Sequence, residues 1–196
     1  EQILAVTPRA RPKPWQLLTP ADFEAPAGAV DEARAYLRGE QVTPFWTARH
    51  VAVWRGDGVA ALYARADAHP LLFVQGPMGH GKSTLVRQLA WHWIEQGRRV
   101  LWLNGPDAFD DDRLFDDCVL RERPLLIMDD RLLDRKPPDW LRWEQAHGAT
   151  ILITTQSRLV PQQKKRVRDW DSAAYSVPVP RDPEPFLDRL IAHGAA

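Results

Sequence analysis

The chain predicts an α/β fold: a mostly parallel, five-stranded sheet in a three-layer arrangement, with helices on both faces. Three observations predict it. From Leu71 onward, short apolar runs alternate with helical patterns, and that alternation implies parallel strands joined by crossover helices. Residues 76–83 read Gly-Pro-Met-Gly-His-Gly-Lys-Ser, a complete G-x-x-x-x-G-K-S phosphate-binding loop. The loop stands between an apolar run, Leu71-Leu72-Phe73-Val74, and a helical pattern from Thr84 to Gln96. Strand, glycine loop and helix in that order are the context the motif requires.

The elements follow in order. Residues 1–28 carry Pro8, Pro12, Pro14, Pro20 and Pro26, a density that resists helix and strand alike and predicts an extended segment. Its apolar residues Trp15, Leu17, Leu18 and Phe23 suit a segment lying on a surface or a partner. Residues 29–38 read as a helix stopped by Gly39. Val42 to Trp54 is aromatic and β-branched and receives no assignment. Gly58 to Ala68 is predicted helical, with Val59, Leu62, Tyr63 and Ala66 on one stripe. The strands after Leu71–Val74 are Arg99–Leu103, Leu125–Met128, Thr150–Thr154 and Ala174–Val179. Between and after them come helices at Asp110–Leu120, with acidic residues suited to the positive helix end, at Asp139–His147, and at Phe186–His193.

Length and composition bound the function. The chain has 196 residues, enough for one domain and a tail. The expected division is a Pro-rich extension with a short helix over 1–41 and a nucleotide-binding domain over 42–196. The 26 basic and 26 acidic residues balance, so no global field favours nucleic acid or an anionic membrane. One cysteine, Cys118, excludes an internal disulfide framework and fits a reducing, cytoplasmic setting. No apolar run approaches the roughly 18 residues of a membrane span, and the N-terminus lacks a signal pattern. The sequence opens on Glu1 rather than Met, which leaves room for a longer parent chain.

The chemistry is concentrated at three strand ends. Gly76, Gly79 and Gly81 let the backbone turn tightly and aim several N–H groups at one point. With the following helix N-terminus these form an anion cradle. Pro77, Met78 and His80 complete the loop, and Thr84 sits in the first helical turn; all are candidate phosphate contacts. Lys82 would reach the β- and γ-phosphates, and the Ser83 hydroxyl would sit on Mg²⁺. Leu125-Leu126-Ile127-Met128-Asp129-Asp130 is an apolar strand ending in two carboxylates. Asp129 fits the acid that holds Mg²⁺ in phosphate-loop NTPases. Asp130 falls where a base polarises the attacking water; it is one methylene shorter than the more usual Glu, which predicts weaker activation. Ile151-Leu152-Ile153 leads to Thr154, Thr155 and Gln156. If this strand lies between the first and third, its tip faces the γ-phosphate, and Thr154 or Thr155 would bond the phosphate or the water. Arg158 is a candidate charge clamp on phosphate, or a surface arginine.

These residues resemble the STAND class of NTPases, including the NB-ARC domains of immune receptors. The matching segments are Gly76 to Leu85, Val100-Leu101-Trp102-Leu103, Leu125 to Asp130, and Ile151 to Gln156. The loop is also similar to that of maltose-type transcription activators of the same class, and Tyr175 to Leu190 resembles the segment closing these subdomains. The resemblance covers roughly residues 45–193. It implies a P-loop NTPase fold with an ASCE-like strand order, binding of ATP or ADP with Mg²⁺, and exchange of ATP for ADP coupled to opening and assembly. Three departures accompany it. Gln156 stands where the family has arginine, with Arg158 the nearest substitute. The upstream signature that touches adenine is degenerate, with Phe45–Arg49 and Trp54–Asp57 as competing remnants. The family's helical lid and winged-helix subdomains, with their phosphate-reading histidine, are not placed in this chain.

Other features read as structural. The basic run 163–168 beside Trp170 could touch a nucleic acid backbone or a neighbouring subunit's nucleotide, but reads first as a solvated helix face. The acidic stretch Asp107–Asp117 reads as surface, and Cys118 as a small buried hydrophobe. His80 is expected in solvent. Trp91 and Trp93 leave one helix on opposite sides, one toward the core and one toward a partner. Trp140 and Trp143 are expected core-facing. Three functions remain open on these residues: a slow regulatory ATPase, a small-molecule or nucleotide kinase using Arg158 and 164–168 as a lid, and a non-hydrolysing module that recruits a protein partner through its Trp-bearing N-terminus.

Overall fold

A computed structural model of the chain describes residues 13–25, 27, 29, 31, 45–50, 52, 55–119, 123–129, 148–166 and 171–178. The strands are β1 (Trp15–Leu18), β2 (Leu71–Gln75), β3 (Val100–Leu103), β4 (Leu125–Met128), β5 (Thr150–Thr155) and β6 (Ser172–Ser176). The helices are α1 (Phe45–His50), α2 (Gly56–Ala68), α3 (Lys82–Glu95), α4 (Asp112–Val119) and α5 (Val160–Arg166). The expected helices at Asp139–His147 and Phe186–His193, with Trp140, Trp143, Trp170 and Asp130, lie outside the described residues, as does most of 29–38.

One sheet runs in the order β1-β3-β4-β5-β2-β6. Strands β2 to β6 are parallel to their neighbours, and β1 is antiparallel on β3. The α/β, mostly parallel architecture is the expected one, but the sheet has six strands rather than five. The sixth is β1. Pro14 and Pro20 bracket five residues free of proline, the first four of which form the strand, and an edge strand needs ladder bonds on one side only. Trp15 pairs with Leu103 and Leu18 with Val100, and the Asn104 N–H donates to the Pro14 carbonyl at 2.9 Å. β6 begins two residues earlier than predicted. It pairs with β2 from Leu71↔Ser172 to Gln75↔Ser176, and the Val177 N–H donates to the Gln75 carbonyl beyond it.

Alternation along each strand sends side chains to two faces, and each face carries its own core. Leu72, Val74, Leu125, Ile127 and Leu152 pack against α2 and α3 through Leu62, Leu85, Leu89 and Trp93. Phe73, Leu101, Leu126, Met128 and Ile153 pack against α4 and α5 through Leu114, Cys118 and Val160. These are the helical layers on both faces. Cys118 is buried, as its apolar reading required.

The N-terminal segment closes over α3. The Thr19 N–H and hydroxyl both donate to Asp22 Oδ2, at 2.7 and 2.9 Å, which shapes a 3₁₀ turn over Pro20–Phe23. The turn drives Phe23 to complete burial. Its ring lies 5.4 Å from Phe45 and 5.2 Å from Trp91. Trp93 is wholly buried, so it is the core member of the pair. Trp91 meets Phe23 and, at 3.7 Å, the Arg49 guanidinium, so its cover comes from the chain itself. Phe23→Ala is expected to lower stability by about 3–5 kcal/mol, measured as a shift in the urea midpoint.

At the opposite end of the sheet, Asp67 ties the end of α2 to the entrances of β3 and β4. Arg98 and Arg123 both reach its Oδ1, at 2.8 and 3.1 Å. The Arg98 hydrogen bond, helped by Arg123, holds the Asp67 carboxyl below the usual carboxylate range. A depressed folded pKa means stability that is present above the unfolded value, about 3.9, and lost as pH falls through the folded one. Asp67→Asn should therefore unfold more easily than the parent at pH 6, with the difference closing below about pH 4 in thermal melts.

Candidate nucleotide site

β5 lies between β2 and β4, the placement on which the sequence reading of its tip depended. The C-terminal ends of these three strands therefore open side by side, where ligands of open α/β sheets bind. The register is decisive. Met128 pairs with Ile153, so Asp129 follows on beside Thr154, and alternation turns both toward α3.

The glycine loop leaves β2 at Gly76 and enters α3 at Lys82. Gly79 and Gly81 both have positive φ, 80° and 72°, a region open to glycine at little cost. Gly81 caps α3 in this left-handed conformation, and a Cβ there would come within 2.9 Å of Arg55 Nη2. The positive φ is what calls for glycine at 81, because the Arg55 guanidinium is the flexible end of a side chain and can move aside. Lys82 is only 9% exposed. Its ammonium donates to the carbonyls of Gly76 and Pro77 at 3.0 and 2.9 Å. A cation curled over a helix N-terminus is an anion site by charge and by donors. Pro77 and Met78 form the outer rim, and Met78 is 83% exposed. His80 departs from expectation. It is half-buried, and its Nδ1 is shut away from solvent without a hydrogen-bond partner among the described residues.

Ser83 and Asp129, 46 positions apart in sequence, meet at 2.9 Å, the hydroxyl donating to Oδ1. Thr154 donates to the same Oδ1 at 2.7 Å. Arg87 Nη2 lies 3.2 Å from Oδ2. Removing one partner of a buried pair leaves an uncompensated charge and costs about 3–5 kcal/mol. These oxygens suit a hard cation. Mg²⁺ is usually held by one or two carboxylates together with phosphates and water. Ser83 and Asp129 could supply that protein share.

Not every candidate joins this cluster. Thr155 alternates to the α4 and α5 face, 2% exposed, and its hydroxyl has no partner among the described residues. Arg158 is exposed in a 3₁₀ turn after β5. Lys164 is half-buried and Lys165 exposed in α5, while 167 and 168 lie outside the described residues. Two residues with no assigned role prove central. Gln88 is buried in α3, donates to the Ala48 carbonyl at 3.0 Å and accepts from the Arg55 N–H at 3.3 Å. Arg55 in turn donates to the His80 carbonyl at 3.2 Å. Of the two upstream remnants, the Trp54–Asp57 stretch therefore supplies the loop contact. The available signal was a pair of polar residues, Arg87-Gln88, inside the apolar run of α3. Gln88→Leu strips both backbone partners and should cost about 1–3 kcal/mol in urea unfolding.

The family model described as Novel STAND NTPase 5 matches residues 57–167, more than half of the chain. The chain belongs to this family. It is a P-loop NTPase of the STAND type, and the Novel STAND NTPase 5 match spans the glycine loop, Asp129 and Thr154. No curated protein matches it. Among solved structures, the S. cerevisiae Hsp104:casein complex in its extended conformation is similar at a TM-score of 0.55 and 14% identity. That match covers 76% of this chain and 32% of that one. The closed state of Hsp104 with ATPγS and FITC casein gives 0.53 and 14%, covering 74% and 31%. The STAND domain thus spans about a third of these chains, and at this identity the likeness is one of fold. Among the described residues no helix is long and apolar enough to cross a membrane.

Proposed function

We propose that this domain is a nucleotide-dependent switch: it binds ATP with Mg²⁺, hydrolyses it slowly, and carries the resulting ADP state to other domains of a longer chain or to a protein partner in the cytoplasm. The observation that carries this reading is the 2.9 Å contact between Ser83 and Asp129 at the mouth of the Lys82 loop. A hydroxyl and a carboxylate from distant parts of the chain converge beside an anion cradle. Phosphate and a divalent ion are the ligands that combine those needs.

The residues divide the work. Loop N–H groups of Gly76 to Gly81 and the ammonium of Lys82 bind phosphate oxygens and spread their charge. Ser83 and Asp129 would hold Mg²⁺, which when bound would supply positive charge against that of the phosphates. Thr154 positions Asp129 by donating to Oδ1. Asp130, the next residue in the chain, orients the attacking water. Its short side chain favours a slow reaction, and slow turnover suits a device whose states must persist. The contact from Arg55 to the loop supports an upstream segment that senses the occupied cradle.

Lys82→Ala is expected to abolish ATP and ADP binding in calorimetry, while Asp130→Ala keeps binding and loses phosphate release. ATP bound by Lys82→Ala as tightly as by the parent would sink the assignment. Mass spectrometry of nucleotide released on denaturing the purified protein should find ADP or ATP. Phosphate appearing on an added nucleoside or metabolite, rather than free in solution, would indicate a kinase instead.

A further inference from the structure

Arg87 takes no part in the scheme above, yet it touches the carboxylate on which that scheme turns. It stands one helical turn beyond Ser83 on α3, so both project from one face. Ser83 and Thr154 occupy Oδ1 of Asp129, and Arg87 Nη2 occupies Oδ2 at 3.2 Å. The two side chains are 10% and 12% exposed. The guanidinium carbon lies 4.9 Å from the Trp102 ring centroid and 5.7 Å from that of Phe45. Aromatic faces hold such a cation in place.

Asp129 therefore has its negative charge balanced by the protein itself. A divalent cation approaching that carboxylate meets a fixed positive charge, and in a partly buried site repulsion is weakly screened. We propose that Arg87 is a built-in counter-cation. It holds Asp129 in the metal-free protein and weakens divalent metal binding, so that the ion enters with the negative charge of a nucleotide's phosphates rather than ahead of them. Arg87 is on this account a positioning residue that sets the order of binding. The inference rests on the nucleotide reading above for its biological sense, but the electrostatic claim can be tested without nucleotide.

The test uses Mn²⁺ as probe, with the free ion counted by electron paramagnetic resonance in titrations of the full chain. Without nucleotide, Arg87→Met should bind Mn²⁺ at least about tenfold tighter than the parent, and Arg87→Lys, which keeps the charge, should stay near the parent. Adding Asp129→Asn to Arg87→Met should remove the gain. Circular dichroism confirms folding, and Arg87→Gln replaces Arg87→Met if the latter does not fold. Mn²⁺ affinity in folded Arg87→Met that is unchanged or weaker overturns the proposal, as does a gain that survives Asp129→Asn. If the gain appears but neither parent nor variant binds ADP, the nucleotide reading fails while the counter-cation stands.

Discussion

A carboxylate placed at the end of a buried apolar strand must be satisfied by its neighbours. Asp129 imposes that condition here. Its two oxygens are met by groups from α3 and β5, so the strand carrying the acid, the helix carrying the phosphate loop and the strand between them share one polar centre. Hydrogen bonds to a charged acceptor are stronger and more directional than neutral ones. Four side chains thus set the relative placement of three elements. The apolar cores on either face hold the layers together, but they do not by themselves choose this alignment.

The same helix carries that alignment outward. Ser83, Arg87 and Trp91 recur every four residues along α3. The first two touch Asp129. Arg87 also lies over Trp102 and Phe45, and Trp91 packs on Phe23 and Arg49. One stripe of a single helix therefore joins the polar centre to the N-terminal segment. Gln88 fastens the adjoining stretch by its backbone, and Arg55 returns from it to the phosphate loop. A change at either end of the stripe is felt through packed, largely buried contacts.

Much of this could be foreseen from the residues. Strand and helix periods were strong from Leu71 onward, and motif order alone brought Ser83 and Asp129 together. The remainder depended on long-range pairing. Proline density concealed β1, because a four-residue strand leaves almost no local period and exists only through β3. Thr154 and Thr155 were equal candidates in sequence; register decided that the first meets Asp129 and the second turns away. Arg87 and Gln88 were passed over because arginine and glutamine are usually solvated. Their burial follows from the aromatic and backbone groups that other segments bring to them. Nothing in a glycine-rich loop indicates that the histidine within it will hide a ring nitrogen.

The β1 strand has one more effect. It covers the outer rim of β3 with main-chain partners from Trp15 to Leu18. Without β1, that row of amide and carbonyl groups and the hydrophobic side chains beneath Trp15 would lie bare. A naked rim of this kind recruits another strand from solution. The leading segment therefore shields the edge of β3 as well as bracing it.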